Sequence, residues 1–201
     1  MDKVHQRLSD KFRSHWIKVK FYQEKPRDDA KRLKDIRFCE ATREAILDPI
    51  LLDKESIVCP GAQHAFGWRS LLKNELLQGC CDKRDMQEDT LKSMVSQVPF
   101  FKKPFKYIGL NTDGVPDLVM SYMPPQEVMS LIKIYHNKEG GNLDVSLCTM
   151  MAVCGGVAVR AYLDEKISLS FGCDDSRKFA DMRRENLAVG IPRRLFKTFF
   201  D

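Results

Sequence analysis

Residues 117–135, which read DLVMSYMPPQEVMSLIKIY, decide the fold class of this chain. The run 117–122 is short and apolar, which predicts a β-strand. Pro124 and Pro125 then favour the first turn of a helix, where a missing amide hydrogen is tolerated. The apolar residues that follow recur at helical spacing and form one stripe: Val128, Leu131, Ile132 and Tyr135. The segment therefore predicts a strand that passes directly into a helix packed on a sheet.

Similar patterns recur along the rest of the chain. Ile17, Val19 and Phe21 alternate with polar residues, which predicts a half-buried strand after a short amphipathic N-terminal helix. Further strands are predicted at 56–58, 107–110, 143–149, 167–171 and 187–191. Further helices are predicted at 37–47, from 60 until Gly79 closes it, from 85, at 150–162 and at 192–200. This order predicts an α+β protein, a mixed β-sheet covered by helices in one compact domain over residues 1–201.

Composition narrows the class of protein. The chain has 201 residues, of which 43% are hydrophobic, and no apolar run long enough to cross a membrane. Its N-terminus is charged where a secretory signal would be apolar, so we expect a soluble, cytoplasmic protein with no membrane partner. The net charge of +5 is spread among both signs, which argues against a nucleic-acid partner. In the cytoplasm the seven cysteines should be reduced, which favours metal or redox roles.

Four cysteines lie in short stretches flanked by glycine, proline or polar residues: Cys39, Cys59, Cys154 and Cys173. Their spacing contains no local C-x-x-C pair of the zinc-ribbon kind. Four thiolates gathered by the fold suit an iron–sulfur cluster, because thiolate softness suits iron and sulfide. Cys80 and Cys81 are placed in an exposed turn and Cys148 in a strand, so these three stay outside the predicted site.

Three other interpretations remain open. The four cysteines could bind zinc instead. Cys59 precedes a helix start, which favours a lowered pKa, and it could act as the nucleophile of a cluster-free thiol enzyme or small-molecule binder with His64 as base. However, about 140° of helix rotation separates these two residues, so His64 fits a core or supporting role better. A third reading is haem or another tetrapyrrole with His64, Met150 or Met151 as axial ligand.

Polar residues near the cysteines could support the site. Arg37, Ser176 and Arg177 could form hydrogen bonds to a cluster or bind an anionic substrate beside it. Asp174 and Asp175 would raise the pKa of Cys173 by repulsion between like charges. They make Cys173 the weakest of the four proposed ligands.

The chain resembles the family catalogued as domain of unknown function 169, found in anaerobic archaea and bacteria. The resemblance covers nearly the whole chain and rests on several motifs in order. They are RFCEA at 37–41, CPGA at 59–62 with His64 and Gly67, PDLV at 116–119, VC at 153–154, SLSFGC at 168–173 with Ser176 and Arg177, and AVGIP at 188–192. The resemblance implies that Cys39, Cys59, Cys154 and Cys173 are the recurrent cysteines.

The chain departs from the family pattern after two of these cysteines. Gly155 and Gly156 stand where the family often has serine and an acidic residue, and Asp174 and Asp175 where it often has Tyr-Gly. We predict a protein of anaerobic redox or cofactor metabolism that binds an iron–sulfur cluster, with a 4Fe–4S cluster favoured. The reaction, the small-molecule or redox partner and the electron partner are left open, and a homo-oligomer is compatible with the sequence.

Overall fold

A computed structural model describes residues 11–180 and 182–200. Within these residues the strands form one seven-stranded sheet with the order β2-β3-β4-β1-β5-β7-β6. The strands are β1 Trp16–Tyr22, β2 Lys31–Arg32, β3 Ile50–Leu52, β4 Tyr107–Leu110, β5 Leu118–Met123, β6 Ser168–Ser170 and β7 Leu187–Pro192. Strands β2 and β3 pair in parallel, and the other neighbours are antiparallel. The predicted α+β class with a mixed sheet is confirmed.

The helices pack on this sheet. They are α1 Phe38–Glu44, α2 Pro60–Ala65, α3 Asn74–Arg84, α4 Glu88–Ser96, α5 Pro125–Glu139, α6 Arg160–Asp164, α7 Asp174–Phe179 and α8 Phe196–Phe200. A π-helical segment, Cys154–Val159, leads directly into α6, and a 3₁₀ turn, Arg193–Leu195, leads into α8. In the described part of the chain no helix is long and apolar enough to cross a membrane.

Alternation along β5 divides the core into two layers. Leu118 and Met120 point to one face of the sheet, and Val119 and Met123 point to the other. The second face is covered by α5 and α8, so the strand-to-helix transition predicted at 117–135 is confirmed. The buried residues of α5 are Val128, Leu131 and Tyr135, which belong to the predicted stripe.

The first face carries the π-helical segment, all six residues of which are buried. The segment packs on β6 and β7 and touches α2. The buried Ser168 hydroxyl donates a hydrogen bond to the Val157 carbonyl (2.9 Å), which ties this segment to β6. A π-bulge in a helix is uncommon and often accompanies a functional site.

Several predicted elements differ from the structure. Residues 56–58 contribute one bridge between Ile57 and Ile36 rather than a strand, and β3 lies earlier in the chain. Residues 143–149 are irregular and mostly exposed. Helix α2 ends at Ala65, and α3 runs through Gly79 instead of stopping there. The predicted N-terminal helix falls on residues outside the described ones.

Candidate functional site

Four cysteines that are far apart in sequence line a single cavity of about 270 Å³. Cys39 lies in α1, Cys59 directly precedes α2, Cys154 begins the π-helical segment and Cys173 directly precedes α7. The packing of α1 against α7 and of α2 against the π-helical segment brings these four places together. The four cysteines predicted from the sequence therefore lie around the same cavity.

Local sequence explains why Cys59 and Cys173 stand directly before their helices. Pro60 occupies the first turn of α2 and leaves Cys59 as the extended residue before the helix. Gly172 has a φ of +82°, and an added Cβ there would lie 2.6 Å from the Ser176 hydroxyl oxygen. Only glycine fits this turn, which delivers Cys173 from β6 to α7.

Burial makes these thiols hard to ionise. Burial, with smaller contributions from the nearby charges of Cys173 and Cys59, raises the pKa of Cys39 to about 12. Burial also places the pKa of Cys154 well above its ordinary value, with the charges of the other three thiolates adding to the effect. At neutral pH Cys39 and Cys154 are neutral thiols, and a bound cation would have to displace their protons.

The pKa of Cys59 differs from the sequence expectation. The amide groups of Ala62 and Gly61 lower it, as predicted for a helix start, but burial is the larger effect and the net pKa is raised. The prediction of an activated thiol at Cys59 is therefore wrong for the structure as it stands.

Asp175 lines the cavity, and its carboxylate accepts two hydrogen bonds there. Its Oδ2 accepts a hydrogen bond from Cys59 Sγ (3.8 Å) and one from Arg37 Nε (3.4 Å). The Arg37 guanidinium also lies over the Phe179 ring, 3.7 Å from its centre. Arg37 thus lines the cavity as predicted, but its charge is already engaged by Asp175 and its plane by an aromatic ring.

The other three predicted supporting residues do not line the cavity. Ser176 is fully buried, accepts a hydrogen bond from the Cys173 amide (2.8 Å) and donates one to the Cys173 carbonyl (2.8 Å). Arg177 donates to the carbonyls of Arg184 (3.0 Å) and Asn186 (3.1 Å) and to that of Arg183. Ser176 therefore shapes the turn at Cys173, and Arg177 fixes the loop before β7.

His64 does not line the cavity. Its Nδ1 accepts a hydrogen bond from the Leu71 amide (3.2 Å), and its ring packs on Phe100 with 5.1 Å between centroids. Because Nδ1 is used as an acceptor, the neutral ring is the one that fits this bond. His64 is a core histidine that holds the chain after α2.

This environment predicts a pH dependence of stability. Burial lowers the pKa of His64, so its protonation favours the unfolded chain. The free energy of unfolding should fall as the pH drops from about 6.5, the ordinary histidine pKa, towards the lower pKa of the folded state. Urea unfolding at several pH values should show this slope, and His64→Asn, which keeps an acceptor but cannot be protonated, should flatten it. An unchanged slope in the variant would contradict this account.

Sequence reasoning missed one wall of the cavity. Helix α3 places on it a set of residues at helical spacing: Leu76, Gly79, Cys80, Lys83 and Arg84. Cys80 therefore lies in a helix that borders the cavity, not in an exposed turn. The spacing of 76, 80, 83 and 84 indicates one helical face, but a helix end predicted at Gly79 separates Leu76 from the other three residues. Met150 and Met151, predicted as possible axial haem ligands, also line the cavity.

The hydroxyl groups of Thr42 and Tyr122 form hydrogen bonds next to Cys39. Thr42 Oγ1 donates to the Cys39 carbonyl (2.6 Å) and lies 2.9 Å from the Tyr122 hydroxyl, which must then be the donor in that pair. Burial raises the pKa of Tyr122, and the nearby thiolates of Cys39, Cys173 and Cys154 add to this effect. Tyr122 is thus a neutral hydroxyl beside three of the four thiols.

The geometry also bears on the size of the ligand. In residues 11–180 and 182–200, no three histidine, cysteine, aspartate or glutamate side chains are placed to hold one metal ion. The four cysteines line one cavity, but their positions there do not form a site for a single ion.

Comparisons with known proteins agree with the motif reading. The DUF169 family, described as uncharacterised ArCR, matches residues 11–200. An uncharacterized protein of Methanocaldococcus jannaschii is 23% identical over 167 residues, which is 78% of this chain and 71% of that protein. No solved structure matches the chain.

Proposed function

We propose that this chain, which belongs to the DUF169 family, binds an iron–sulfur cluster through Cys39, Cys59, Cys154 and Cys173. One observation carries the proposal: besides Cys80 of α3, four thiols from four separate segments line the same cavity. Their number matches the four cysteine ligands that such clusters take. When bound, the cluster would supply one-electron chemistry, in keeping with the predicted role in anaerobic redox or cofactor metabolism.

Zinc is supported less well by the same geometry. A structural zinc ion needs its sulfur ligands about 2.3 Å from a single point. No three candidate ligands meet that requirement among the residues described. A polynuclear cluster binds each thiolate at a different iron, so its ligands can stand further apart around a wider cavity.

A thiol enzyme is the second candidate, and two observations weaken it. The nucleophilic form of cysteine is the thiolate, but burial raises the pKa of Cys59. The expected base, His64, bonds to the Leu71 amide and lines no part of the cavity. The Cys59 thiol donates its hydrogen bond to the Asp175 carboxylate instead.

A tetrapyrrole fits poorly for reasons of size. Pockets for ligands of drug size span about 300–1,000 Å³, and this cavity is near 270 Å³. Met150 and Met151 line it, but His64 does not. The two methionines serve better as apolar walls that keep water from the thiols.

The chain's own residues would prepare the thiols for a cluster. Asp175 holds Cys59 in place and is itself oriented by Arg37. Ser176 fixes the backbone of Cys173, and Thr42 fixes that of Cys39. Groups of this kind orient ligands at metal sites and tune the metal.

Reconstitution tests the choice between a cluster and zinc. Apoprotein incubated without oxygen with ferrous iron and sulfide should gain broad visible absorption and bind iron and sulfide in equal amounts. Zinc alone should bind weakly, because the thiols do not converge on one point. Tight one-to-one zinc binding with no uptake of iron and sulfide would contradict the proposal.

A further inference from the structure

Helix α3 contributes two cationic side chains to the cavity that the proposed cluster does not need. Lys83 and Arg84 lie on the same helical face as Leu76 and Cys80, and all four border the cavity. Lys83 is exposed and Arg84 is half-buried. In the part of the chain that the structure describes, neither side chain forms an ion pair.

Charge around the cavity is unevenly shared between its two sides. Three cations and two carboxylates border it. Arg37 and Asp175 are paired with each other, and Asp174 stands beside them at the start of α7. The α3 side is therefore positive, and the α7 side is neutral to negative.

We infer that Arg84 and Lys83 form the recognition site for a small oxyanion, a carboxylate or a phosphate group, of the molecule on which the cavity acts. This inference rests on the proposed function, because it names the substrate class of the same cavity. The guanidinium of Arg84 offers paired donors that match a carboxylate or phosphate, and Lys83 adds a second charge. The apolar walls formed by Leu76, Leu71 and Met151 strengthen such a charged contact by keeping water out.

The position of Cys80 indicates how a bound molecule would lie in the cavity. Cys80 lies on the cavity face one turn before Arg84. A molecule whose oxyanion is held by Arg84 would therefore lie beside Cys80, in the same cavity as the four cysteines. Asp174 and Asp175 in the first turn of α7 repel an anion, which favours the α3 side for its charged end. The cavity thus has a charged entrance and a thiol-lined interior.

Calorimetric titration tests this inference on the full chain purified without oxygen, with phosphate, acetate and succinate as probes. Chloride at matched ionic strength controls for general screening. At least one probe should bind the wild-type protein, and Arg84→Gln should weaken that binding roughly tenfold or more. The matched control is Lys92→Gln, because Lys92 lies on α4, pairs with Glu88 and does not border the cavity. It should leave the affinity unchanged.

The outcomes separate the two proposals. Failure of every probe to bind, or equal binding by wild type and Arg84→Gln, would overturn the oxyanion site. If Arg84→Gln does not fold, as judged by circular dichroism, Lys83→Gln takes its place with the same expected direction. Iron and sulfide are counted on the same samples. Anion binding that depends on Arg84 in a protein without iron would keep this inference and reject the cluster, whereas iron without anion binding would do the reverse.

Discussion

Replacing Cys154 by serine is expected to remove most of the bound iron and acid-labile sulfide. Cys154 is buried at the start of the π-helical segment, which fixes its thiol in the wall of the cavity. A serine oxygen is a harder ligand than a thiolate and is poorly matched to iron and sulfide. The measurement is the iron and sulfide content per chain of protein purified without oxygen, with circular dichroism to show that the fold is kept.

Two matched cysteine variants control this prediction. Cys148 borders a different cavity, so Cys148→Ser should leave the iron content unchanged. Cys80 borders the same cavity but lies outside the predicted ligand set, so Cys80→Ser should also keep its iron. If Cys80→Ser lost the iron while Cys154→Ser retained it, the ligand assignment would be wrong.

Replacing Gly67 by alanine should cause a large loss of stability. Gly67 has a φ of +75°, and an added Cβ would lie 2.1 Å from the backbone oxygen of Phe101. Neither atom can move freely, because the Phe101 amide bonds to the Ala65 carbonyl (2.9 Å) in the same turn. We expect a loss of about 3 kcal/mol or more, from the clash together with the positive φ. Thermal unfolding should show a fall of about 6 °C or more for a domain of this size.

Gly79→Ala is the matched control for this change. Gly79 lies inside α3, and an added Cβ would meet no atom within 4 Å. Alanine should there stabilise the helix by roughly 0.5–1 kcal/mol, since it lowers the entropy cost of ordering the backbone. Equal stability of Gly67→Ala and Gly79→Ala would show that the turn after α2 is not fixed as described.

Local patterns predicted the elements whose residues alternate or recur regularly. The alternation of Ile17, Val19 and Phe21 became β1, and the stripe from Val128 to Tyr135 became the buried face of α5. These patterns arise from burial within a single element, which the sequence displays directly. The four cysteines could be chosen by their flanking residues and by family resemblance. Their meeting at one cavity could not be predicted, because it depends on how α1, α2, α7 and the π-helical segment pack.

Gly79 shows why the α3 wall was missed. Glycine commonly follows the end of a helix, but an exposed glycine within one costs only about 1 kcal/mol and is tolerated. The true break comes at Asp85, whose φ of 48° is left-handed. The spacing of Leu76, Cys80, Lys83 and Arg84 favours a helix that continues past Gly79, whereas the glycine itself favours a helix end, so the two signals conflict. Because a helix end is predicted at Gly79, Cys80, Lys83 and Arg84 are not predicted to lie on the helix that borders the cavity.

The roles of His64 and Arg177 depend on contacts that only the folded chain makes. Gly67 reverses the chain after α2, which carries the Leu71 amide back to the His64 ring. Arg177 reaches carbonyls six to nine residues further along the chain. Their places in the sequence make both residues candidates for the site. Their hydrogen bonds show instead that each one stabilises a loop.

The central claim is that Cys39, Cys59, Cys154 and Cys173 together hold an iron–sulfur cluster. Iron, zinc and acid-labile sulfide counted on one sample of wild-type protein, isolated without oxygen and with its visible spectrum recorded, test this claim most directly. The account predicts a brown protein with iron and sulfide in equal amounts and little zinc. A colourless protein that contains no iron, and that takes up neither iron nor sulfide on reconstitution, would contradict it.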